Sequence, residues 1–422
     1  MDIQLGILYW TLLAVALQVL VDRVCARAEP LRRHQTTLRI AALVWMLMPL
    51  AKKLVIDDLV PPSDAIEHEA VAREVAGLLQ SGQFGLALGY FRIGNEAYRF
   101  LLGVFYAATL APEVITYAVH SALGFWGLLA LLEVACLLTS CRRMPGLAVW
   151  ITAFLPSGLL WCSANLKEGV TLWGLCMMLY WTVDRRQMRL QRRGMPLAGM
   201  LGAALMRPHI VLMWLGAMGF AAVVKSRRYG IGVTAAIAIA LCFFSLKIIA
   251  PNMYDVLVHE GLTESLSQKY DLLTENGDAA GRQFVGAQPI PVYTGLTLIL
   301  LRPWPNEVFK ANELIAGLEV WLLTLWGAWN WKNVFKSARF LKDANLIGLV
   351  VGLLLFGFLF SYMYNMGLVA RQRLMAFPAV LLIYMWPLLA SQTHAVTRPA
   401  PRRVPSRPPI RRAPSPVMTG PQ

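Results

Sequence analysis

Charge is scarce in this chain. Asp, Glu, Lys and Arg make up 15% of it, against about 25% in an ordinary soluble domain. Hydrophobic residues reach 57%, above the usual level of about 45–50%. That balance excludes an ordinary soluble globular protein. Cysteine is also sparse. Cys25, Cys136, Cys141, Cys162, Cys176 and Cys242 lie in or beside apolar runs or in basic loops. No disulfide framework and no metal-ligand spacing can be drawn from them. No metal triad, phosphate-cradling glycine loop or Ser-His-Asp spacing is visible either. The first apolar run, Ile3 to Val21, has no basic start and no small-residue cleavage site. It is expected to be a retained span, not a cleaved leader.

What is present is a series of long apolar runs separated by short charged segments. The pattern predicts an all-α, polytopic transmembrane bundle with the lipid bilayer as its solvent. The formal net charge is +15, but Arg and Lys cluster between apolar runs, as the positive-inside rule requires. That distribution argues against nucleic acid as a partner. Arg23 to Arg39, Arg142–Arg143, Arg185 to Arg193 and Lys332 to Lys342 mark cytoplasmic turns. The stretches 57–96 and 251–291 are acidic and are expected outside. The reading gives about eleven crossings with the N-terminus outside. Residues 1–396 form the membrane domain. The tail, 397–422, is basic and Pro-rich, and is expected to be disordered and cytoplasmic.

Several details matter for function. SDAIEHEAVAREVAGLLQSG predicts a helix on the membrane surface, with Ser63 or Asp64 as N-cap and Glu67 three residues beyond Asp64. Its expected apolar stripe is Ile66, Ala70, Val71, Val75, Leu78 and Leu79, and Gly82 ends it. Tyr98 to Leu110 is too short to span and is expected to be re-entrant or partly inserted. Leu147 to Ser163 and Val170 to Val183 are expected to cross out and back. The Lys167–Glu168 pair sits between them. Lys167 is 18 positions before Arg185, about 27 Å along a helix, which places the pair at the outer face. The run 196–224 pivots near Arg207-Pro208-His209, between two short halves. LRPWPNE breaks another apolar segment, because Pro303 and Pro305 forbid an uninterrupted helix.

Lys167, Arg207, His209, Arg302, Arg371 and Arg373 thus converge on one face, with Glu168 and with Asp57, Asp58 and Asp64 at the same level. Arg371 and Arg373 are external cations that defy the charge bias. Guanidinium groups bind phosphate bidentately and are always charged. A polyprenyl phosphate or pyrophosphate would satisfy them, and a carboxylate could deprotonate an acceptor hydroxyl. Plainer roles compete. External arginines also serve as headgroup anchors, His209 as an ordinary hydrogen-bonded histidine, Asp57 and Asp58 as the end of a span, and Asp64 as an N-cap.

The segments LPSGLLWCSANLKEG, LRPWPNE and ARQRLMAFP resemble motifs of bacterial polytopic proteins of surface polysaccharide assembly. Their layout is similar to the GT-C glycosyltransferase superfamily. The segment SDAIEHEAVAREVAGLLQSGQFG resembles the first external loop of those enzymes. The resemblance implies a GT-C-like bundle with broken helices in the bacterial cytoplasmic membrane. It implies a polyprenyl-linked sugar donor, a saccharide acceptor and polysaccharide assembly or export proteins as partners. Asp64 becomes the base, with Asp57, Asp58 and Glu168 as alternatives. Lys167, Glu168, Arg207, Arg302, Arg371 and Arg373 become donor-site residues. The loop follows the second span here, where the superfamily usually places it after the first. His68 stands where an aromatic is often found. A repeat-unit polymerase fits the same features. A lipid-linked saccharide transporter would need a polar path and an inverted repeat, and a non-catalytic assembly partner is the third reading. The sequence leaves open whether a divalent metal is required as cofactor.

Overall fold

The computed structural model describes residues 2–57, 63–139, 141, 143–183, 194–226, 296–297, 299–304, 311–332, 344–360 and 366–396. Every regular element among these is helical, as the apolar patterning requires. The expected crossing at 229–249, the acidic loop 251–291, the tail 397–422, Asp58 and the basic cluster 185–193 lie outside the described residues.

Helix Glu113–Thr139 is the centre of the bundle. Its mean hydropathy is high and two thirds of its most apolar stretch is buried. Helices Asp2–Arg27, Gln35–Ala51 and Glu168–Val183 pack against it, and the last of these also packs on Gly194–Met206. A helix that is apolar all round belongs either in a core or in a membrane. Helices 3–27 and 113–139 are each long and apolar enough to cross a membrane, by length and composition. The remaining apolar helices among the described residues are shorter.

Proline sets several of the breaks. The stretch expected as one crossing, Leu147 to Ser163, is two helices, Gly146–Ala153 and Pro156–Cys162. The residue before a proline is pushed out of helical geometry, and Leu155 is accordingly non-helical ahead of Pro156. The pivot expected at Arg207-Pro208 is present: helix Gly194–Met206 stops, and Pro208 opens helix Pro208–Ser226. Pro49 lies inside helix Gln35–Ala51, where it removes a backbone donor. That helix runs directly into a π-helical turn, Lys52–Ile56.

The helix expected on the membrane surface forms over Ser63–Gln80. Gly82 follows it with φ +79°, a left-handed conformation that glycine adopts without a Cβ penalty. The Gln83 amide returns to the Leu78 carbonyl at 2.8 Å and the Gly82 amide to Leu79 at 3.2 Å, closing the helix end. The buried stripe differs from the expected one. Ala65, His68, Ala72, Val75 and Ala76 are buried, while Ile66 is 62% exposed. The cause is a protein neighbour. Helix 63–80 packs on helix Asn95–Thr109, and a Cβ on Gly103 would lie 2.7 Å from the Val75 Cβ and 2.8 Å from the Ala72 carbonyl. Such close approach selects small residues for the inner face. The segment expected to be re-entrant or partly inserted lies in this helix, which buries Tyr98, Arg99, Leu102 and Tyr106.

Candidate functional site

Glu168 is the first residue of helix 168–183 and is 1% exposed. The helix reaches inward because Gly169 lets it approach the His120 carbonyl, which would lie 2.5 Å from a Cβ there. One oxygen, Glu168 Oε1, accepts from Arg207 Nη2 at 2.7 Å and from Arg371 Nε at 2.7 Å. Arg371 extends the chain of charges, with its Nη1 lying 2.5 Å from Asp64 Oδ2. Four separate elements thus meet in one line, Asp64–Arg371–Glu168–Arg207. Arg207 gets there from the helix break at Pro208, and Arg371 from the last turn of helix Met366–Gln372.

Lys167 stands beside this line, and its Nζ donates to Asn95 Oδ1. Burial and the neighbouring Arg207 lower its ammonium to about 8. Burial opposes the Glu168 charge, but Arg371 and Arg207 overcome it and hold the carboxyl well below its usual range. Three cations therefore face two carboxylates. Among the described residues two buried atoms of the line have no partner, Glu168 Oε2 and Arg207 Nε. Unpartnered buried polar atoms are rare in folded proteins, and these two are an acceptor and a donor at one place. An apolar cleft of about 160 Å³ is lined by Leu102, Phe105, Val170 and Met206, with Tyr98 and His120 at its polar side; Met206 adjoins Arg207 in the chain, and Val170 follows Glu168 by two positions.

A second polar layer supports the first and was not legible beforehand. His68 follows Asp64 by four positions, one turn along helix 63–80. Arg99 Nε donates to His68 Nδ1 at 3.1 Å, so the imidazole is neutral with its proton on Nε2. Burial, Lys167 and Arg99 push His68 down to about 4. Arg99 also holds Glu67 at 2.5 Å and Glu96 at 2.8 Å. Glu67 therefore pairs with a guanidinium. Next to it, Glu69 Oε2 accepts from Tyr106 at 2.5 Å and from Asn165 at 2.6 Å. Glu69 Oε1 takes Arg73 at 2.7 Å, and that guanidinium lies 3.8 Å over the Tyr106 ring.

The expected site residues do not all meet. Asp64, Lys167, Glu168, Arg207 and Arg371 come together. Asp64 sits in the first helical turn with its carboxylate on Arg371, not simply at the cap. Asp57 does not join them: it pairs with the buried Lys52 at 3.0 Å and accepts from Tyr117 at 3.4 Å. Its charge compensates an ammonium that would otherwise be buried alone. Arg373 is 0% exposed and does not join the line. It donates to the carbonyls of Arg302, at 2.7 Å, and of Ala316. Arg302 enters that arrangement through its backbone, and His209 follows Pro208 in the first turn of helix 208–226.

Behind Arg373 lies Glu319, a buried carboxylate in helix Ala311–Trp329. It accepts the Ser157 amide at 3.1 Å and the Ser157 hydroxyl, satisfying the start of helix 156–162. A carboxylate inside an apolar run was the available signal for it. Among the described residues no group of three or more His, Cys, Asp or Glu side chains is placed to hold a metal ion. No family model, curated protein or solved structure matches this chain.

Proposed function

We propose that this protein is a membrane glycosyltransferase. It transfers a sugar from a polyprenyl-(pyro)phosphate donor to a saccharide acceptor at the outer face of a bacterial cytoplasmic membrane, in surface polysaccharide or glycoconjugate assembly. The observation that carries the reading is the Asp64–Arg371–Glu168–Arg207 line with Lys167 at its side. It has an excess of cations and an unpartnered guanidinium nitrogen, and chain neighbours of Arg207 and Glu168 line an apolar cleft. That combination suits an amphiphile with an anionic head. The proposed arrangement has about eleven crossings, the N-terminus outside and the tail inside.

The chemistry follows from the pairing. A donor phosphate competes with Asp64 for Arg371, because Asp64 is the exposed end of the line, at 52% against 0% for Glu168. Displaced, Asp64 becomes a free carboxylate beside the bound donor. It removes the proton from the acceptor hydroxyl. The acceptor oxygen bonds to the anomeric carbon of the sugar, and the bond from that carbon to the phosphate oxygen breaks. The electron pair leaves on the phosphate, where Arg371, Arg207 and Lys167 stabilise the charge. Glu168 keeps both guanidiniums in place and offers Oε2 to a substrate hydroxyl.

A repeat-unit polymerase would use the same line with a longer lipid-linked saccharide as donor. Purified protein, a polyprenyl-phosphate sugar and candidate acceptors test the proposal, alongside the lipid-linked saccharides of a deletion strain. Transfer in vitro, with accumulation of the lipid-linked donor in the strain, is expected. A protein that binds no polyprenyl phosphate and a strain with unchanged lipid-linked saccharides would overturn it.

A further inference from the structure

Residues 84–93, FGLALGYFRI, present a surface that the proposed reaction does not use. In the short helix Phe84–Gly89 only Ala87 is buried. Phe84, Leu86 and Leu88 are each 61–62% exposed, and Phe91 and Ile93 are 41% and 51% exposed. Contiguous exposed apolar side chains of this kind mark a surface that something covers. The segment is fixed in place. Tyr90 donates to Glu74 at 2.5 Å, the Phe91 and Phe100 rings meet edge to face at 5.3 Å, and the Gly94 amide donates to the Leu205 carbonyl at 2.8 Å.

Two features identify the cover. The first is direction. Residues 84 and 88 lie on one side of the helix, and residue 86 is about 200° away from 84 at the usual helical pitch. A protein groove reads one helix face. Side chains exposed on opposite sides are instead covered by a medium that wraps the tip. The second is continuity. Leu205 belongs to helix 194–206, whose Met195, Leu197 and Leu201 are exposed. Leu101 and Val104 of helix 95–109 are exposed as well. The one ionic residue in 81–94 is Arg92, and it is exposed between Phe91 and Ile93.

We infer that residues 84–93 are a lipid anchor. The tip enters the outer leaflet of an anionic bilayer, with Arg92 at the level of the phosphates, as interfacial segments do. It holds the external helix pair that carries Asp64 over the charged line. The inference rests on the membrane reading above. The membrane-surface role thus belongs to this tip, and helix 63–80 is held by protein.

Spin-label accessibility tests it on the full chain in phosphatidylethanolamine–phosphatidylglycerol vesicles, with the unsubstituted protein as background. Leu86→Cys and Leu88→Cys are compared with Leu12→Cys, on the exposed side of helix 2–27, and Ala70→Cys, on the exposed side of helix 63–80. Labels at 86, 88 and 12 are expected to favour oxygen, and the label at 70 to favour a soluble nickel chelate. Arg92→Glu is expected to shift 86 and 88 toward nickel in these vesicles. Nickel access at 86 and 88 with oxygen at 12 overturns the anchor and leaves the membrane reading standing. Protection of 86 and 88 from both reagents means a protein covers them, and also overturns it. Nickel access at position 12 overturns the membrane reading and the anchor with it.

Discussion

Glu168 and Arg371 are 203 positions apart in the chain and meet at 2.7 Å. Arg207 shares the same carboxylate oxygen. A buried carboxylate shared by two guanidiniums is the keystone of the site, because it is the one acid that compensates both buried charges at once.

Removing that carboxylate should therefore unfold the site. Glu168→Ala is expected to lower stability by about 3–5 kcal/mol, the usual penalty for breaking a buried pair. Thermal unfolding in detergent micelles measures it. Asp64→Asn, at the exposed end of the line, should change stability by less than about 1 kcal/mol. Equal, small shifts for the two variants would remove Glu168 from its central place.

Asp64→Asn separates a partner of Arg371 from a base. Asn keeps an acceptor oxygen for the guanidinium, but it cannot take the acceptor's proton. Turnover is expected to fall by at least about a hundredfold, the lower range for general-base catalysis, with donor binding retained. Near-normal turnover on purified protein would reduce Asp64 to a partner of Arg371.

Lys167 gives the pH dependence. Its pKa is lowered to about 8, chiefly by burial, from an unfolded value near 10.4. In the free protein the unfolded state binds more protons between these values, so this group makes stability rise with pH there. Binding of an anion runs the other way, since the ammonium is lost as pH rises through 8. Polyprenyl phosphate affinity should fall from pH 7 to pH 9, and Lys167→Met should flatten the fall. An unchanged slope in the variant would take Lys167 out of the anion site.

Arg373 is predicted to act on folding. Arg373→Met leaves the Arg302 and Ala316 carbonyls without their guanidinium donor, at about 1–3 kcal/mol for each buried group left unsatisfied. Protein that still folds should bind the phosphate probe within a few-fold of wild type. Normal stability with lost binding would make Arg373 a ligand instead.

The sequence showed where the chain bends and which residues are charged, but not which charges meet. The end of helix 63–80 at Gly82 and the break at Arg207–Pro208 were legible because glycine and proline act locally. The inner stripe of helix 63–80 was not. Its neighbour, helix 95–109, selects alanines through Gly103, and a hydrophobicity pattern overlooks small residues. Arg371 and Arg373 looked alike because both are external in a charge count. They part because helix 366–372 ends between them, turning one toward Glu168 and the other toward backbone carbonyls. Tyr106, Asn165 and Glu69 form their network from three distant segments, and no spacing in the chain announces it.

The most direct test of the account is the affinity of the full chain in nanodiscs for polyprenyl phosphate, with the uncharged polyprenol as comparison. The phosphate is expected to bind at least tenfold more tightly than the alcohol. Arg371→Ala should abolish most of that difference, and Arg371→Lys should restore only part of it, because Lys cannot bind bidentately. Equal affinity for phosphate and alcohol, or a difference untouched by Arg371→Ala in protein that remains folded, would contradict the account.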